Sequence, residues 1–101
     1  MKCIKQKIFG KNYRLFVAKS KRDKKKGMNI FLSSPKKTGM IFPYRSEEKN
    51  RSFTLSKTPF MLRVIFLDKF NNIVHDEIGY PFQQRSIVCK KPSITVIEIP
   101  C

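Results

Sequence analysis

Apolar and polar residues alternate with a period of two through much of this chain, and that pattern predicts strands. In "KIFGKNYRLFVAK" (7–19) the alternation runs through Tyr13, Leu15 and Val17, with a turn at Gly10-Lys11-Asn12. "GMIFPY" (39–44) predicts a short strand whose Pro43 marks an edge or an end. In "RSFTLSKT" (51–58), Phe53 and Leu55 take one face, Thr54 and Ser56 the other. Within "PFMLRVIFLD" (59–68), residues 60–67 are apolar on both faces, as in a central strand covered on each side. "DKFNN" (68–72) then predicts a turn, and "IVHDEIGY" (73–80) the second arm of a hairpin. "SIVCKKPSITVIEIP" (86–100) reads as two strands divided at Lys91-Pro92, because proline has no N–H to give a ladder.

The helical signal is confined to "SKRDKKKG" (20–27), where Ser20 can cap the first turn and Gly27 suits a left-handed stop. "LSSPKKTG" (32–39) and "RSEEKN" (45–50) read as loop and polar turn. The fold class that follows is mostly β, a β-rich α+β domain. We expect a compact, mainly antiparallel barrel or sandwich of six or seven short strands with one short helix. No repeat or linker breaks the chain, so residues 1–101 read as one basic domain.

Charge changes this picture more than composition does. Twenty-two Lys+Arg against seven Asp+Glu give a net +15. Residues 1–27 hold eleven of the bases and one acid, Asp23. Such a balance repels itself unless an acidic surface or a polyanion lies against it. Cys3, Cys89 and Cys101 are odd in number and lack C-x-x-C spacing, so they read as free thiols and not as a disulfide framework. With one histidine, no metal site is expected, and no cofactor motif is present. The N-terminus carries lysines without an apolar core, so no signal peptide is read there, and no apolar run is long enough to span a membrane. The expected location is cytoplasmic or virion-associated.

The order of "VAKSKRDKKKGM" (17–28), "GMIF" (39–42), "SFTLSKT" (52–58), "MLRVIFLD" (61–68), "NNIV" (71–74) and "TVIEI" (95–99) resembles the uncharacterised domain-of-unknown-function 192 family. The resemblance implies a compact, mostly β domain with one short helix and no established reaction. Where the family pattern has Trp, Met, Asn and Asp, this chain has Thr54, Leu55, Lys57 and Arg63. Those replacements place an inherited ligand site in doubt, while the glutamate, Glu98, is kept.

Two candidate sites follow. The first is Arg63, which sits inside an apolar strand where an unpaired guanidinium costs several kcal/mol. If its face meets that of the last strand, Glu98 is its bidentate partner. Thr54 and Lys57 complete a group that reads either as an anion pocket or as a structural ion pair. Alternatively, the stem packs and the head reaches solvent. The second candidate is the run Lys19, Lys21, Arg22, Lys24, Lys25 and Lys26, which reads equally as polyanion contact or as a solvated face. It lacks interleaved aromatics and a recognition helix, so any nucleic-acid contact would be to the backbone and without sequence preference.

No catalytic constellation is legible. His75 shares a strand face with Glu77 and not with Asp76, and neither has a recognisable substrate site. Cys89 has neighbouring lysines but no second catalytic group. The expectation is a non-enzymatic accessory or structural subunit docking on an acidic partner in a larger assembly, such as a virion. Lys-, Asn-, Ile- and Phe-heavy usage fits an AT-rich viral genome. Non-specific binding to a phosphate backbone is the alternative, and a small anionic-ligand pocket around Arg63 is the third.

Overall fold

The computed structural model describes residues 1–31 and 33–101. Its strands are β1 (Cys3–Ile8), β2 (Lys11–Val17), β3 (Thr38–Glu48), β4 (Arg51–Phe53), β5 (Leu62–Leu67), β6 (Ile73–Gly79), β7 (Ile87–Cys89) and β8 (Ser93–Pro100). One helix, α1 (Lys21–Lys26), runs into a 3₁₀ turn over Gly27–Ile30. The expected mostly β class holds, with eight described strands where six or seven were expected. Six form a sheet in the order β1-β2-β3-β8-β5-β6, and β4 pairs with β7 in a small second sheet. Among the described residues the edge strands β1 and β6 are not paired with each other, so the arrangement is sandwich-like and not a closed barrel.

All pairings are antiparallel except β2 with β3. The parallel step has a local cause. Residues 18–37 carry the chain out through α1 and back to the same side of the sheet, and parallel neighbours need a crossover of this length. Of the loop expected at 32–39, residue 32 lies outside the described residues, 33–37 are bends and turns, and the strand begins at Thr38. The strand predicted at 39–44 extends to Glu48, through most of the expected polar turn. Pro43 is tolerated because β2 stops at Val17, opposite Ile41, and the ladder to β8 shifts register just after Pro43.

Two further differences matter for the sites. The first turn is Phe9-Gly10 and not Gly10-Lys11-Asn12. Both residues have positive φ, 50° and 78°, as a two-residue hairpin loop requires. A left-handed aromatic is strained, and its ring lies 4.0 Å from the guanidinium of Arg63, a favourable stack. Gly39, where the expected loop and the expected strand meet, lies inside β3. A Cβ there would clash with the backbone oxygen of Glu98, so only glycine lets β3 and β8 approach this closely.

The core is divided by the large sheet. One face carries Met40, Phe42, Leu62, Val64, Phe66 and Val96, packed against Ala18, Met28, Leu55, Phe60, Ile87 and Cys89. The other carries Leu15, Ile65, Ile97 and Ile99, with Ile8 from β1. β5 thus has apolar neighbours on both sides, which is why its sequence does not alternate.

Candidate functional site

Arg63 is not paired with Glu98. On β5 and β8, Arg63 stands opposite Ile99 while Glu98 stands opposite Val64. Successive residues point to opposite faces, so this one-residue offset puts the two side chains on different sides of the sheet. The partner of Arg63 is Asp76 on β6, with Nε to Oδ1 at 2.8 Å and Nη2 to Oδ2 at 2.5 Å. The pairing is bidentate, and the Asp76 hydrogen bonds raise the arginine's pKa further. The arginine side chain is 37% exposed. The arginine in the apolar strand is therefore a structural pair at the outer surface. The group once assembled around it separates: Thr54 and Glu98 line one pocket, Lys57 is exposed, and Arg63 lies on the other face.

That pocket, about 310 Å³, lies between α1 with its 3₁₀ turn and the β3–β8 face. Ser20 caps α1 as predicted, its hydroxyl accepting the Asp23 N–H at 3.0 Å. Gly27 ends the helix with φ 52°, and a methyl there would sit 3.8 Å from Glu98 Oε1 and from Phe42 Cζ. The chain thus passes directly over the carboxyl. Glu98 is 4% exposed, and no described group bonds or pairs with its carboxyl, so burial alone pushes its pKa up to about 8. Its oxygens still open on the pocket, since no buried side-chain oxygen among the described residues is both sealed and unbonded. Phe42, Phe53 and Met28 supply apolar wall. Thr58, 3% exposed, donates to Asn29 Oδ1 at 2.6 Å.

The rim is basic. No residue of α1 is buried. Lys24 Nζ donates to the carbonyl of Lys19 at 2.9 Å and lies 4.6 Å from the ring centroid of Tyr44, over which Arg51 also stacks at 3.7 Å. Burial first, then the charges of Arg51 and Arg45, lower the pKa of Lys24. Burial raises that of Tyr44. The acid beside this cluster is Glu48, 3.8 Å from Arg51. The structure therefore brings Lys24, Lys25 and Lys26 to the pocket that Glu98 and Thr54 line, while Lys19, Lys21 and Arg22 are exposed outside it.

A second basic surface lies on the first two strands. On β1–β2, Lys5 stands opposite Arg14 and Lys7 opposite Asn12. With Gln6, Tyr13 and Lys37 these residues line a shallow cleft of about 520 Å³. Its signal in the sequence is Lys5, Lys7 and Arg14, three of the eleven bases of residues 1–27, spaced along strands and not clustered as on the helix. Elsewhere the expected His75–Glu77 pair forms, 2.8 Å apart, and Arg85 closes on the other carboxylate oxygen at 2.5 Å. Cys89 is buried, its thiol donating to the carbonyl of Lys91. Among the described residues no group of His, Cys, Asp or Glu could hold a metal ion, and no helix is long and apolar enough to cross a membrane.

The profile of the DUF192 family, described as Uncharacterized ACR, matches residues 4–101. The chain belongs to the DUF192 family. No curated protein matches it. Two crystal structures share the DUF192 chain's fold. One is from Sinorhizobium meliloti 1021, provisionally described as a transcription regulator, with TM-score 0.81 and 16% identity over 90% of this chain and 70% of that one. The other is a protein of unknown function from Novosphingobium aromaticivorans DSM 12444, with TM-score 0.80 and 17% identity over 97% of this chain and 71% of that one. At these identities the likeness concerns the fold of this DUF192 domain alone.

Proposed function

We propose that this DUF192 domain is a non-enzymatic accessory protein that docks through its basic surface on an acidic partner, as a subunit of a larger assembly. The observation that supports this most directly is the crowding of Lys24 and Arg51 over the ring of Tyr44, with the charge of Arg45 also felt by Lys24 and with Glu48 as the acid beside Arg51. Like charges held this close destabilise one another, and an anion placed among them relieves the repulsion. The exposed Lys21, Arg22, Lys25 and Lys26 widen the same face.

A second reading is contact with a nucleic-acid backbone. The β1–β2 cleft favours it, since Lys5, Lys7, Arg14 and Lys37 line a groove beside the ring of Tyr13. Fluorescence anisotropy of labelled polyglutamate and of a labelled oligonucleotide, each across a salt series, separates the two. Docking on an acidic protein surface expects polyglutamate to bind and Lys25→Glu/Lys26→Glu to weaken it at least tenfold. A steep log–log salt slope for the oligonucleotide, lowered by Lys5→Glu and Arg14→Glu, would instead establish phosphate contact. Failure of both probes at low salt would overturn both readings.

A further inference from the structure

The pocket beneath α1 contains a feature that surface docking leaves unused: an unpartnered carboxyl aimed into a cavity. Glu98 is 4% exposed and held by β8, whose backbone is clamped on both sides by β3 and β5. No described side chain or backbone group bonds to its oxygens, although they open on a space of about 310 Å³. A buried polar group without a partner is costly, and folded proteins rarely keep one where an apolar residue would serve. The surroundings state what would complete it. The inner wall, Met28, Phe42 and Phe53, is apolar, whereas the mouth carries Lys24, Lys25 and Lys26 with Tyr44. None of these lysines reaches Glu98 in an ion pair. The charge at the mouth and the hydrogen-bonding capacity within are both uncommitted.

We propose that this pocket binds a small organic monoanion with an apolar body, whose anionic group accepts a hydrogen bond from the Glu98 carboxyl while facing the lysine rim. A cation is disfavoured on the same geometry, since it must pass three lysines to reach the carboxyl. An acceptor anion matches both features at once, because O–H···O⁻ bonds are among the strong ones. Below about pH 8 the buried carboxyl keeps its proton and can donate. The groups that face it are Lys24, Lys25 and Lys26 from the helix and Tyr44 from β3; β4 and the following loop contribute Ser52, Phe53, Thr54 and Thr58, none of which titrates in this range.

The test is titration of the whole protein with benzoate, inorganic phosphate and benzylamine as probes, followed by amide NMR and calorimetry from pH 6 to 9.5. Benzoate should shift the resonances of Gly27, Phe53 and Thr58, and its affinity should fall about tenfold per pH unit above 8 as the carboxyl ionises. Phosphate should bind at least tenfold more weakly, having no apolar body to place against Phe42 and Phe53. In Glu98→Gln, which keeps a neutral donor, benzoate should bind within about threefold of the parent and lose that pH dependence. In Glu98→Leu it should bind at least tenfold more weakly, with polyglutamate binding unchanged, so that failure here and failure of surface docking are distinct results. The proposal is overturned if benzylamine binds and strengthens with rising pH, if phosphate matches benzoate, or if about 20 mM benzoate leaves those resonances unmoved.

Discussion

Arg63 lies on β5 opposite Ile99, and Glu98 lies on β8 opposite Val64. Both are ionisable residues in apolar strands at the centre of the same sheet, one step out of phase. On the outer face, Arg63 finds Asp76 in a bidentate pair and stacks on Phe9. On the inner face, Glu98 is buried without a described partner under Gly27. The first residue has its charge matched by the protein, and the second does not. A matched, part-exposed pair explains itself as structure. An unmatched buried carboxyl calls for an account of what else is served by keeping it.

The sharpest way to break this comparison is pH. The folded pKa of Glu98 is raised to about 8 from an ordinary 4.5, so the folded state holds a proton that the unfolded chain releases between those values. The resulting stability is fully present below about pH 4.5 and is lost as pH rises towards 8, by an amount on the order of a few kcal/mol. Urea unfolding at pH 5, 7 and 9 should show that decline in the parent and little of it in Glu98→Gln. An equal decline in both would mean that Glu98 is not the group responsible.

The next largest effect comes from Gly39, which lets β3 lie against the backbone of Glu98. Gly39→Ala should cost about 3 kcal/mol, because the atom in the way is backbone and cannot rotate aside. The damage should fall first on the outer face, where a Cβ would also meet Ile99 and Leu15. Amide shifts of Leu15, Ile99 and Arg63 should move, while those of Gly27 and Phe53 across the sheet should stay. A uniform change across both faces would show that the two faces are not as separable as their contacts imply.

The matched pair should matter less. A double-mutant cycle on Arg63→Leu and Asp76→Ala should give a coupling of about 0.5–1 kcal/mol, shrinking with salt, since both side chains are part-exposed. A coupling near zero would reduce the pair to the stack on Phe9. A value of several kcal/mol would mean that the pair is far drier than its exposure indicates.

These contrasts mark what was legible beforehand. The central strand, the hairpin after it, the break at Pro92 and the Ser20-capped helix all follow from local pattern, and all are present. The partner of Arg63 was not legible, because pairing depends on register. Asp76 stands opposite Ile65, a diagonal neighbour of Arg63, and the ladder shifts between Phe66 and Leu67. That shift leaves no mark in composition. Glu98 shares a face with Val96 as its parity requires, but β5 and β8 pair one residue out of phase, so that face does not carry Arg63. Tyr44 and Arg51 were passed over because their cation stacking joins segments that only the folded sheet brings together.

The smallest effect tests the comparison from the opposite side of the pH scale. Glu77 on β6 is a carboxylate whose charge is matched: hydrogen bonds from Arg85 first and His75 second hold its pKa below the ordinary 4.5. Its contribution is therefore present above about pH 4.5 and is lost as pH falls further, the reverse of Glu98. Arg85 is 70% exposed, so the pair is well screened and worth about 0.5 kcal/mol. Glu77→Gln should lose that amount at pH 6 and become indistinguishable from the parent near pH 3, by urea unfolding at both values. With Glu98 weakening the fold as pH rises above about 4.5 and Glu77 weakening it as pH falls below, stability should peak near pH 4.5. If Glu77→Gln lost stability equally at pH 3 and pH 6, its effect would be one of packing, and only Glu98 would then shape the pH dependence from within the sheet.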